Sequence, residues 1–258
     1  ISQGKDYNAG GARYNTSVIQ GVGTGTISDC LSAVKYNVYD NKKFTMDELL
    51  AALQANFVGY EGILNLVKNK TPKYGNDDDY ADDLMRKIFN YFVDNVSARP
   101  NMRGGMYRVD MLPTTCHVYF GQVMIASANG RLNEKPVSEG ISPEKGADVN
   151  GPTAVIKSCA KMDHLKTGGT LLNQKFTPET LAGESGIDNL ASYIRTYFNL
   201  DGHHVQFNVV HREVLQEAQK NPEEHKDLIV RVAGYSDHFR NLDKPLQDEI
   251  IDRTEQEF

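Results

Sequence analysis

The sequence predicts an α/β fold with several parallel strand pairings, and two observations support this prediction. Strand-like segments alternate along the chain with segments of helical period, an arrangement typical of parallel sheets covered by helices. The chain has 258 residues, of which 40% are hydrophobic, so it can bury the core of one large domain or two small ones. No internal repeat or low-complexity segment interrupts this pattern.

Charge and composition exclude several classes of partner. The chain carries 28 basic and 34 acidic residues, for a net charge of −6. It has no cluster of lysine and arginine that could follow a phosphate backbone, so we expect no nucleic-acid partner. No apolar run approaches the ~20 residues that a membrane span needs, and the N-terminus has no basic-then-apolar signal pattern, so we expect no membrane association.

The three cysteines, Cys30, Cys116 and Cys159, are far apart and form no CxxC pair. The sequence therefore predicts neither a disulfide framework nor a zinc or iron–sulfur site, and a reducing cytoplasm is the expected location. The chain begins at Ile1 without an initiator methionine, so we expect it to be a piece of a longer protein.

The N-terminal region predicts a strand over residues 14–20, a glycine-rich turn over residues 21–26 and a helix from Ser28. Dinucleotide-binding turns have the same order of elements. The GxGxxG pattern would, however, need glycine where Thr26 stands, and no acidic residue follows a second strand at the expected distance. A tight turn from strand to helix is the favoured interpretation, with phosphate binding as the alternative.

The next region predicts two helices. Thr45 is placed as an N-cap, Glu48 closes a capping box with it, and Gly59 ends the first helical segment. A second helix is predicted over residues 60–70.

A group of aspartates then opens a third helix: Asp77, Asp78, Asp79, Asp82 and Asp83. They lack the alternating spacing and the terminal glutamate of a calcium loop, whereas carboxylates at a helix N-terminus are stabilised by the helix dipole. We therefore interpret them as capping and solvated residues.

Residues 99–113 are predicted to be loop-rich, and residues 114–120 to form a strand. Cys116 beside His117 suggests a nucleophile with its base, but neighbours on a strand point to opposite faces, which argues against the pair. A glycine- and proline-rich loop is predicted over residues 129–151. A loop of this length is usually functional or part of a larger assembly.

Two further strands are predicted over residues 170–176 and 203–210. In the second, apolar positions alternate against polar ones: Val205, Phe207 and Val209 against Gln206 and Asn208. The neighbouring histidines share no metal-ligand spacing on one strand face, and they are interpreted as ordinary polar residues: His203, His204 and His211. The last helix is predicted from Lys244, with Leu246 and Ile250 packed inward and Asp248, Glu249 and Asp252 facing water.

A final strand ends on a single glycine, Gly234. Five of the six positions in residues 228–233 hold strand formers or apolar residues, which predicts a buried strand. Glycine at its end provides the conformational freedom for a turn. A plain turn is therefore one interpretation of Gly234, and the residues around it favour another.

The string from Arg231 to Phe239 resembles the signature of the glycyl radical enzymes, an Arg-Val-x-Gly-Tyr core with an aromatic residue four positions after the tyrosine. Further segments look like the C-terminal part of the same family, within its dehydratase and carbon–nitrogen lyase branch; they begin at Tyr14, Pro72, Gly130, Gly140 and Gly151. A radical on a glycine Cα is stabilised by donation from the amide nitrogen and withdrawal by the carbonyl. Dioxygen reacts with such a radical and cleaves the backbone at that carbon. The resemblance therefore implies a buried loop and an anaerobic setting.

The resemblance also implies a fold and partners. The expected fold is the C-terminal part of a ten-stranded α/β barrel, with residues 1–227 in the barrel and residues 228–258 forming the radical loop and terminal helix. A radical-SAM activating enzyme is expected to install the radical on Gly234, with no other cofactor bound. A homo-oligomer is expected as well.

The implied reaction is elimination of water from trans-4-hydroxy-L-proline, giving pyrroline-5-carboxylate. The alternatives are another glycyl radical diol dehydratase or carbon–nitrogen lyase, or a non-catalytic subunit that carries the radical. The family's catalytic cysteine motif is absent here, since none of the three cysteines has its glycine/cysteine/carboxylate context. We therefore expect that motif upstream of Ile1, and no turnover by this chain alone.

The resemblance assigns roles to three further residues. Thr114 lies in a run that matches a segment lining the barrel interior, so it is a candidate substrate contact, with a structural turn as the alternative. Arg231 and Tyr235 are expected to support the glycine loop, because a guanidinium and a phenol can fix backbone groups by hydrogen bonds.

Overall fold

The computed structural model describes residues 2–258, which form a mostly parallel sheet flanked by helices. The strands are β1 (Thr16–Gln20), β2 (Met106–Met111), β3 (Gly169–Phe176), β4 (His204–Val209), β5 (Ile229–Arg231), β6 (Ser236–His238) and β7 (Glu255–Gln256). The α-helices are α1 (Thr24–Ala33), α2 (Met46–Gln54), α3 (Glu61–Asn69), α4 (Asp79–Val96), α5 (Cys116–Gln122), α6 (Pro152–Ala160), α7 (Gly183–Asn199), α8 (Arg212–Lys220) and α9 (Lys244–Asp252). The predicted α/β fold class is confirmed.

The main sheet has the order β1-β2-β3-β4, and all neighbouring pairs are parallel. The short strand β7 pairs in parallel with the end of β3. Strands β5 and β6 form a separate antiparallel hairpin. Because the carboxyl ends of parallel strands lie at one edge of a sheet, the segments that follow β2 and β4 lie at the same edge.

The largest hydrophobic cluster lies between the sheet and helices α4, α6 and α7. Its buried members include Met85 and Phe89 of α4, Val109 of β2 and Leu172 of β3. Tyr193 of α7 belongs to the same layer and packs edge-on against Phe176 of β3, with the ring centroids 5.9 Å apart. One face of the sheet is thereby covered by apolar side chains.

A second cluster joins the end of the chain to α5 and α8. Its buried members are Val118, Leu215, Ala218, Val230, Val232, Phe239, Leu242, Leu246, Ile250 and Ile251. Burial of these side chains fixes the β5–β6 hairpin and α9 against the rest of the structure.

The glycine-rich turn after β1 is a tight turn from strand to helix. Gly23 adopts φ +75° as the N-cap of α1, which begins at Thr24, four residues before the predicted start. The backbone N–H of Thr26 donates to Ser138 Oγ at 2.9 Å. A Cβ added to Gly25 would lie 2.8 Å from the carbonyl oxygen of Ser142. The long loop, rather than a phosphate, therefore occupies this helix N-terminus.

Two secondary-structure predictions between residues 99 and 122 are wrong. The segment predicted to be loop contains β2, and the segment predicted to be a strand forms α5. The side chains around Cys116 have high strand propensity, but burial of Val118 in the second cluster and the close approach of Gly121 to the Lys135 backbone favour a helix. Such tertiary contacts routinely override strand propensity.

The aspartates before α4 lie close to lysines and to the helix N-terminus. Asp78 is the N-cap, and its Oδ1 accepts a hydrogen bond from the N–H of Tyr80 at 2.9 Å. Lys161 lies 2.7 Å from Asp79 and 2.7 Å from Asp82. The predicted capping is confirmed, but the prediction that the group is solvated is wrong for Asp82, which is fully buried and bonds to Ser158 as well as Lys161. None of the helices within residues 2–258 has the length and apolarity needed to cross a bilayer.

The predicted capping box at α2 is confirmed and gives a stability prediction. Thr45 Oγ1 accepts the N–H of Glu48 at 3.2 Å, and Glu48 Oε2 accepts the N–H of Thr45 at 2.7 Å. We expect Thr45→Ala to lower the free energy of unfolding by about 1 kcal/mol, because the helix loses its cap. Urea unfolding measures this, with Thr45→Ser as the control that keeps the hydroxyl. Equal losses in both variants would contradict the capping role.

Candidate functional site

The polar face of β4 points into the structure. Gln206 and Asn208 are each 6% exposed, whereas Val209 on the opposite face is 47% exposed. Val205 and Phe207 pack against the main hydrophobic cluster. Both faces of this strand are therefore largely covered, and the buried polar side chains need hydrogen-bond partners.

Asn208 connects β4 to the neighbouring hairpin. Its Nδ2 donates to the carbonyl oxygen of Arg231 at 2.8 Å, and its Oδ1 accepts the N–H of Arg231 at 2.8 Å. One amide side chain thus satisfies both backbone polar groups of this β5 residue. β5 pairs with β6 on one edge and is held to β4 by side chains on the other.

The hairpin turn carries Gly234. The N–H of Val232 donates to the carbonyl oxygen of Tyr235 at 2.8 Å, which closes the turn. Gly234 has φ +82°, a conformation that favours glycine, and it is exposed. A Cβ added here would lie 3.6 Å from the nearest atom of Leu112, which is an ordinary contact. Backbone conformation, rather than crowding, therefore disfavours a larger residue at this position.

Two side chains bind the backbone of Gly234. Gln206 Oε1 accepts the N–H of Gly234 at 3.1 Å and the Nε–H of Arg231 at 2.9 Å. Arg231 Nη2 donates to the carbonyl oxygen of Gly234 at 3.2 Å, and Nη1 donates to Ser236 Oγ at 3.2 Å. The expectation that Arg231 supports this loop is confirmed. Tyr235, for which a similar role was expected, is 38% exposed.

Arg253, which follows α9, holds the strand that leads into the turn. Its Nη1 donates to the carbonyl oxygen of Arg231 at 3.2 Å, and its Nη2 donates to that of Val232 at 2.9 Å. Its Nη2 also lies 3.0 Å from Glu249 Oε2. Glu249 is buried, so the prediction that it faces water is wrong. It faces inward because Arg253 is its partner one helical turn later.

Three cationic or ionisable groups surround the Glu249 carboxylate. Lys145 Nζ lies 3.4 Å and His117 Nε2 lies 3.5 Å from Oε1, in addition to Arg253. Burial alone would raise the pKa of Glu249, but attraction to Arg253 and Lys145 outweighs it and holds this pKa well below its usual value of 4.5. The carboxylate is therefore charged at neutral pH.

The segment after β2 lies beside the glycine turn. Leu112 is the side chain nearest to Gly234. Thr114, two residues further, is exposed, adopts φ +53° and donates its hydroxyl hydrogen to the carbonyl oxygen of Pro113 at 2.7 Å. The structure thus places the Leu112–Thr114 segment and Gly234 at the same edge of the sheet, and Thr114 also makes a turn.

Cys116 and His117 do not form a nucleophile and base pair. Both lie on α5 rather than on a strand, so the predicted reason for rejecting the pair is wrong, but consecutive helical residues also point apart. His117 is fully buried against Glu249, while Cys116 is a half-buried free thiol. His211, expected from the sequence to be an ordinary polar residue, lies with its Nε2 3.0 Å from a carboxylate oxygen of Glu179.

Sequence reasoning missed most of the residues that hold the turn. The sequence pattern indicates only that Gln206 and Asn208 alternate with apolar residues, and it predicts that the side chain of Glu249 faces solvent. Two signals were present in the sequence. An acidic and a basic residue stand four positions apart at the end of the last helix, and two amides occupy alternate positions of one strand beside apolar neighbours that a helix layer could cover.

Two family models match the chain. The model described as Pyruvate formate lyase-like matches residues 1–121, and the model described as Glycine radical matches residues 137–240. The hairpin with Gly234 and the polar face of β4 both lie within the second match.

Curated relatives and solved structures match the whole chain. It is 71% identical over 258 residues to trans-4-hydroxy-L-proline dehydratase of Clostridioides difficile. It matches the crystal structure of hydroxyproline dehydratase from that organism, with trans-4-hydroxy-L-proline bound, at a TM-score of 0.97. It matches the glycerol-bound B12-independent glycerol dehydratase of Clostridium butyricum at a TM-score of 0.95 and 46% identity. Each match covers 100% of this chain but 33% of the relative.

The buried ion pair predicts a dependence of stability on pH. The folded-state pKa of Glu249 lies below 4.5, so its stabilising contribution is fully present above about pH 4.5 and is lost as the pH falls toward the folded-state value. We expect Glu249→Gln to lower the free energy of unfolding at neutral pH by about 3–5 kcal/mol, because Arg253 is left buried without its partner.

Unfolding of this variant at a series of pH values tests both parts of the prediction. When the pH is lowered below about 4.5, the free energy of unfolding should fall less in the variant than in the unsubstituted chain. Asp248→Asn is the control on the same helix, because Asp248 makes a solvent-exposed pair with Lys244. A neutral-pH loss no larger than that of the control would contradict the role of Glu249.

Proposed function

Because the chain belongs to the glycyl radical enzymes, we propose that it is the C-terminal part of a radical dehydratase that stores its radical on Gly234. The proposed reaction eliminates water from trans-4-hydroxy-L-proline and gives pyrroline-5-carboxylate. One observation carries the proposal: Gly234 is an exposed residue at a hairpin turn, with its N–H and carbonyl oxygen both hydrogen-bonded. The choice of substrate is supported by the 71% identity to a hydroxyproline dehydratase.

The reaction begins with transfer of one hydrogen atom. A carbon radical supplied by a radical-SAM activating enzyme takes a hydrogen atom from Cα of Gly234, leaving the radical on that carbon. The radical then takes a hydrogen atom from a cysteine thiol outside this chain, and the resulting thiyl takes one from the substrate. Water leaves the substrate radical, and the thiol gives a hydrogen atom to the resulting product radical, which regenerates the thiyl. No cofactor other than the stored radical is required of this chain.

The exposed surface supports a partner formed by the rest of the enzyme. A stored radical needs protection from dioxygen, yet Gly234 is exposed here, and the chain spans 33% of the length of its relatives. Apolar side chains are also exposed on the first strand and helix: Val18, Ile19, Ile27 and Leu31. The preceding part of the enzyme, which would carry the cysteine loop, is the proposed cover for both. A homo-oligomer in an anaerobic cytoplasm is the proposed setting.

The proposed division of the chain places residues 1–227 in the barrel and residues 228–258 in a terminal unit with the radical loop. The β5–β6 hairpin and α9 both lie in that unit, and Arg253 connects the end of α9 to the carbonyl oxygens of β5. Limited proteolysis within residues 221–228, which precede β5, is the direct test of this boundary.

The radical site predicts an electron paramagnetic resonance signal. We expect the full-length enzyme, treated anaerobically with its activating enzyme and S-adenosylmethionine, to show a doublet from the single remaining α-hydrogen. Gly234→Ala should abolish it. Gly59→Ala is the matched control. Gly59 also has φ +82° and space for a Cβ, but it lies outside the β5–β6 hairpin that carries Gly234.

Both alanine variants carry a similar backbone penalty of about 1–2 kcal/mol, so a shared loss of signal would indicate misfolding. A doublet that survives in Gly234→Ala would overturn the assignment of the radical. The activated full-length enzyme should consume trans-4-hydroxy-L-proline, whereas the 258-residue chain alone should not. Consumption of glycerol in place of hydroxyproline would reassign the enzyme to the diol dehydratases.

Thr114 predicts a change in substrate affinity. If its hydroxyl binds substrate, Thr114→Ala should lower kcat/KM about tenfold, mainly through KM, because one hydrogen bond to the substrate is lost. Thr114→Ser keeps the hydroxyl and should retain most of the activity. Steady-state kinetics of the activated enzyme measures this. A lower kcat with KM unchanged in Thr114→Ala would favour the structural-turn interpretation, because the hydroxyl also donates to the carbonyl oxygen of Pro113.

A further inference from the structure

The backbone of Gly234 belongs to a closed ring of hydrogen bonds. The N–H of Gly234 donates to Gln206 Oε1, the Nε–H of Arg231 donates to the same oxygen, and Arg231 Nη2 donates to the carbonyl oxygen of Gly234. Two side chains, themselves hydrogen-bonded to each other, therefore contact both polar groups of one glycine. The N–H meets an acceptor and the carbonyl meets a cation.

Other contacts fix the orientation of both side chains. Gln206 Nε2 donates to Asn173 Oδ1 and, at 3.3 Å, to the carbonyl oxygen of Val232. Because the amide nitrogen of Gln206 is used there, its oxygen is the atom that faces Gly234. Arg231 is held by Asn208 through its backbone and by Ser236 through Nη1. The ring is thus built on fixed groups.

The polarity of the ring matches the electronic needs of a Cα radical. Such a radical is stabilised when the amide nitrogen donates electron density and the carbonyl withdraws it. An acceptor on the N–H makes the nitrogen a better donor, and a guanidinium on the carbonyl makes that group a better acceptor. Charge-assisted bonds of this kind are about twice as strong as neutral ones.

The ring leaves the reacting carbon free. Its bonds end on the nitrogen and oxygen of Gly234, and the nearest side chain to a Cβ at this position is that of Leu112, at 3.6 Å. The radical centre must become planar, so φ must move away from its resting value of +82°. The two side chains do not block that change, because none of their hydrogen bonds ends on Cα.

On the basis of the proposed function, we propose that Gln206 and Arg231 stabilise the radical on Gly234 by polarising its N–H and its carbonyl in opposite directions. They are positioning residues that act on the radical through the peptide groups on either side of Cα. Removing either partner concentrates the unpaired spin on Cα.

The test is the spectrum of the activated full-length enzyme, grown with nitrogen-15 glycine. We expect Gln206→Leu to widen the α-hydrogen doublet and to lower the nitrogen coupling, since the nitrogen donates less. Arg231→Met removes the cation and should also widen the doublet, but without lowering the nitrogen coupling. In both variants the radical should decay about tenfold faster under argon. Gln219→Leu is the matched control, because the side-chain amide of Gln219 bonds to Asp248, away from the turn.

Gln206→Glu separates the electronic role from folding. This change keeps an acceptor for Gly234 and Arg231, and Asn173, whose Nδ2 has no hydrogen-bond partner within residues 2–258, can rotate to present that donor to the new oxygen. Couplings and a lifetime that change in Gln206→Leu and return toward those of the unsubstituted enzyme in Gln206→Glu support the proposal. Loss of the doublet in both variants would show a structural role alone and overturn it.

The remaining outcomes separate this proposal from the proposed function. Unchanged couplings and lifetimes in Gln206→Leu and Arg231→Met would overturn the polarising role and leave Gly234 as the radical site. Absence of a doublet in the unsubstituted enzyme, under conditions that activate a known relative, would overturn both.

Discussion

The architecture of the glycine turn depends on hydrogen bonds between the side chains of β4 and the backbone of β5. Asn208 satisfies the N–H and the carbonyl oxygen of Arg231, and Gln206 bonds to Val232 and Gly234, one and three residues further along the chain. A backbone ladder would fix β5 only at the spacing of a sheet. Side-chain contacts can instead hold a hairpin that turns away from the sheet, and they require the polar face of β4 to be buried.

The polar face of β4 can be buried because its side chains bond to the backbone of β5, and that backbone is bonded in turn to Arg253. Arg253 binds two carbonyl oxygens of β5, and its charge is balanced by Glu249 rather than by water. Removing one partner of such a pair would leave a buried charge, which costs more than the pair contributes. The ion pair therefore serves geometry more than stability, since it fixes the carbonyl oxygens on which the turn rests.

The fold was largely predictable from the sequence. The residues that hold the glycine turn were predictable only in part. Periodicity located β3, β4 and most helices, and the cap at Thr45 was placed correctly because its determinants lie within four residues. The segment around Cys116 was misassigned because its helix depends on packing against Lys135 and the second cluster. Gly234 and Arg231 were found through a local motif, whereas Gln206 and Arg253 meet that motif only in the folded chain.

Packing does not explain the glycine at position 234, whereas the proposed radical chemistry does. A Cβ at Gly105 would lie 1.9 Å from the carbonyl oxygen of Asn15, and a Cβ at Gly121 would lie 2.3 Å from that of Lys135, so packing requires glycine at both positions. At Gly234 the nearest contact is ordinary, and the positive φ costs only about 1–2 kcal/mol for another residue. Packing alone would therefore tolerate alanine there. The proposed radical chemistry would not tolerate alanine, because a side chain obstructs both the planarity of Cα and the transfer of a hydrogen atom.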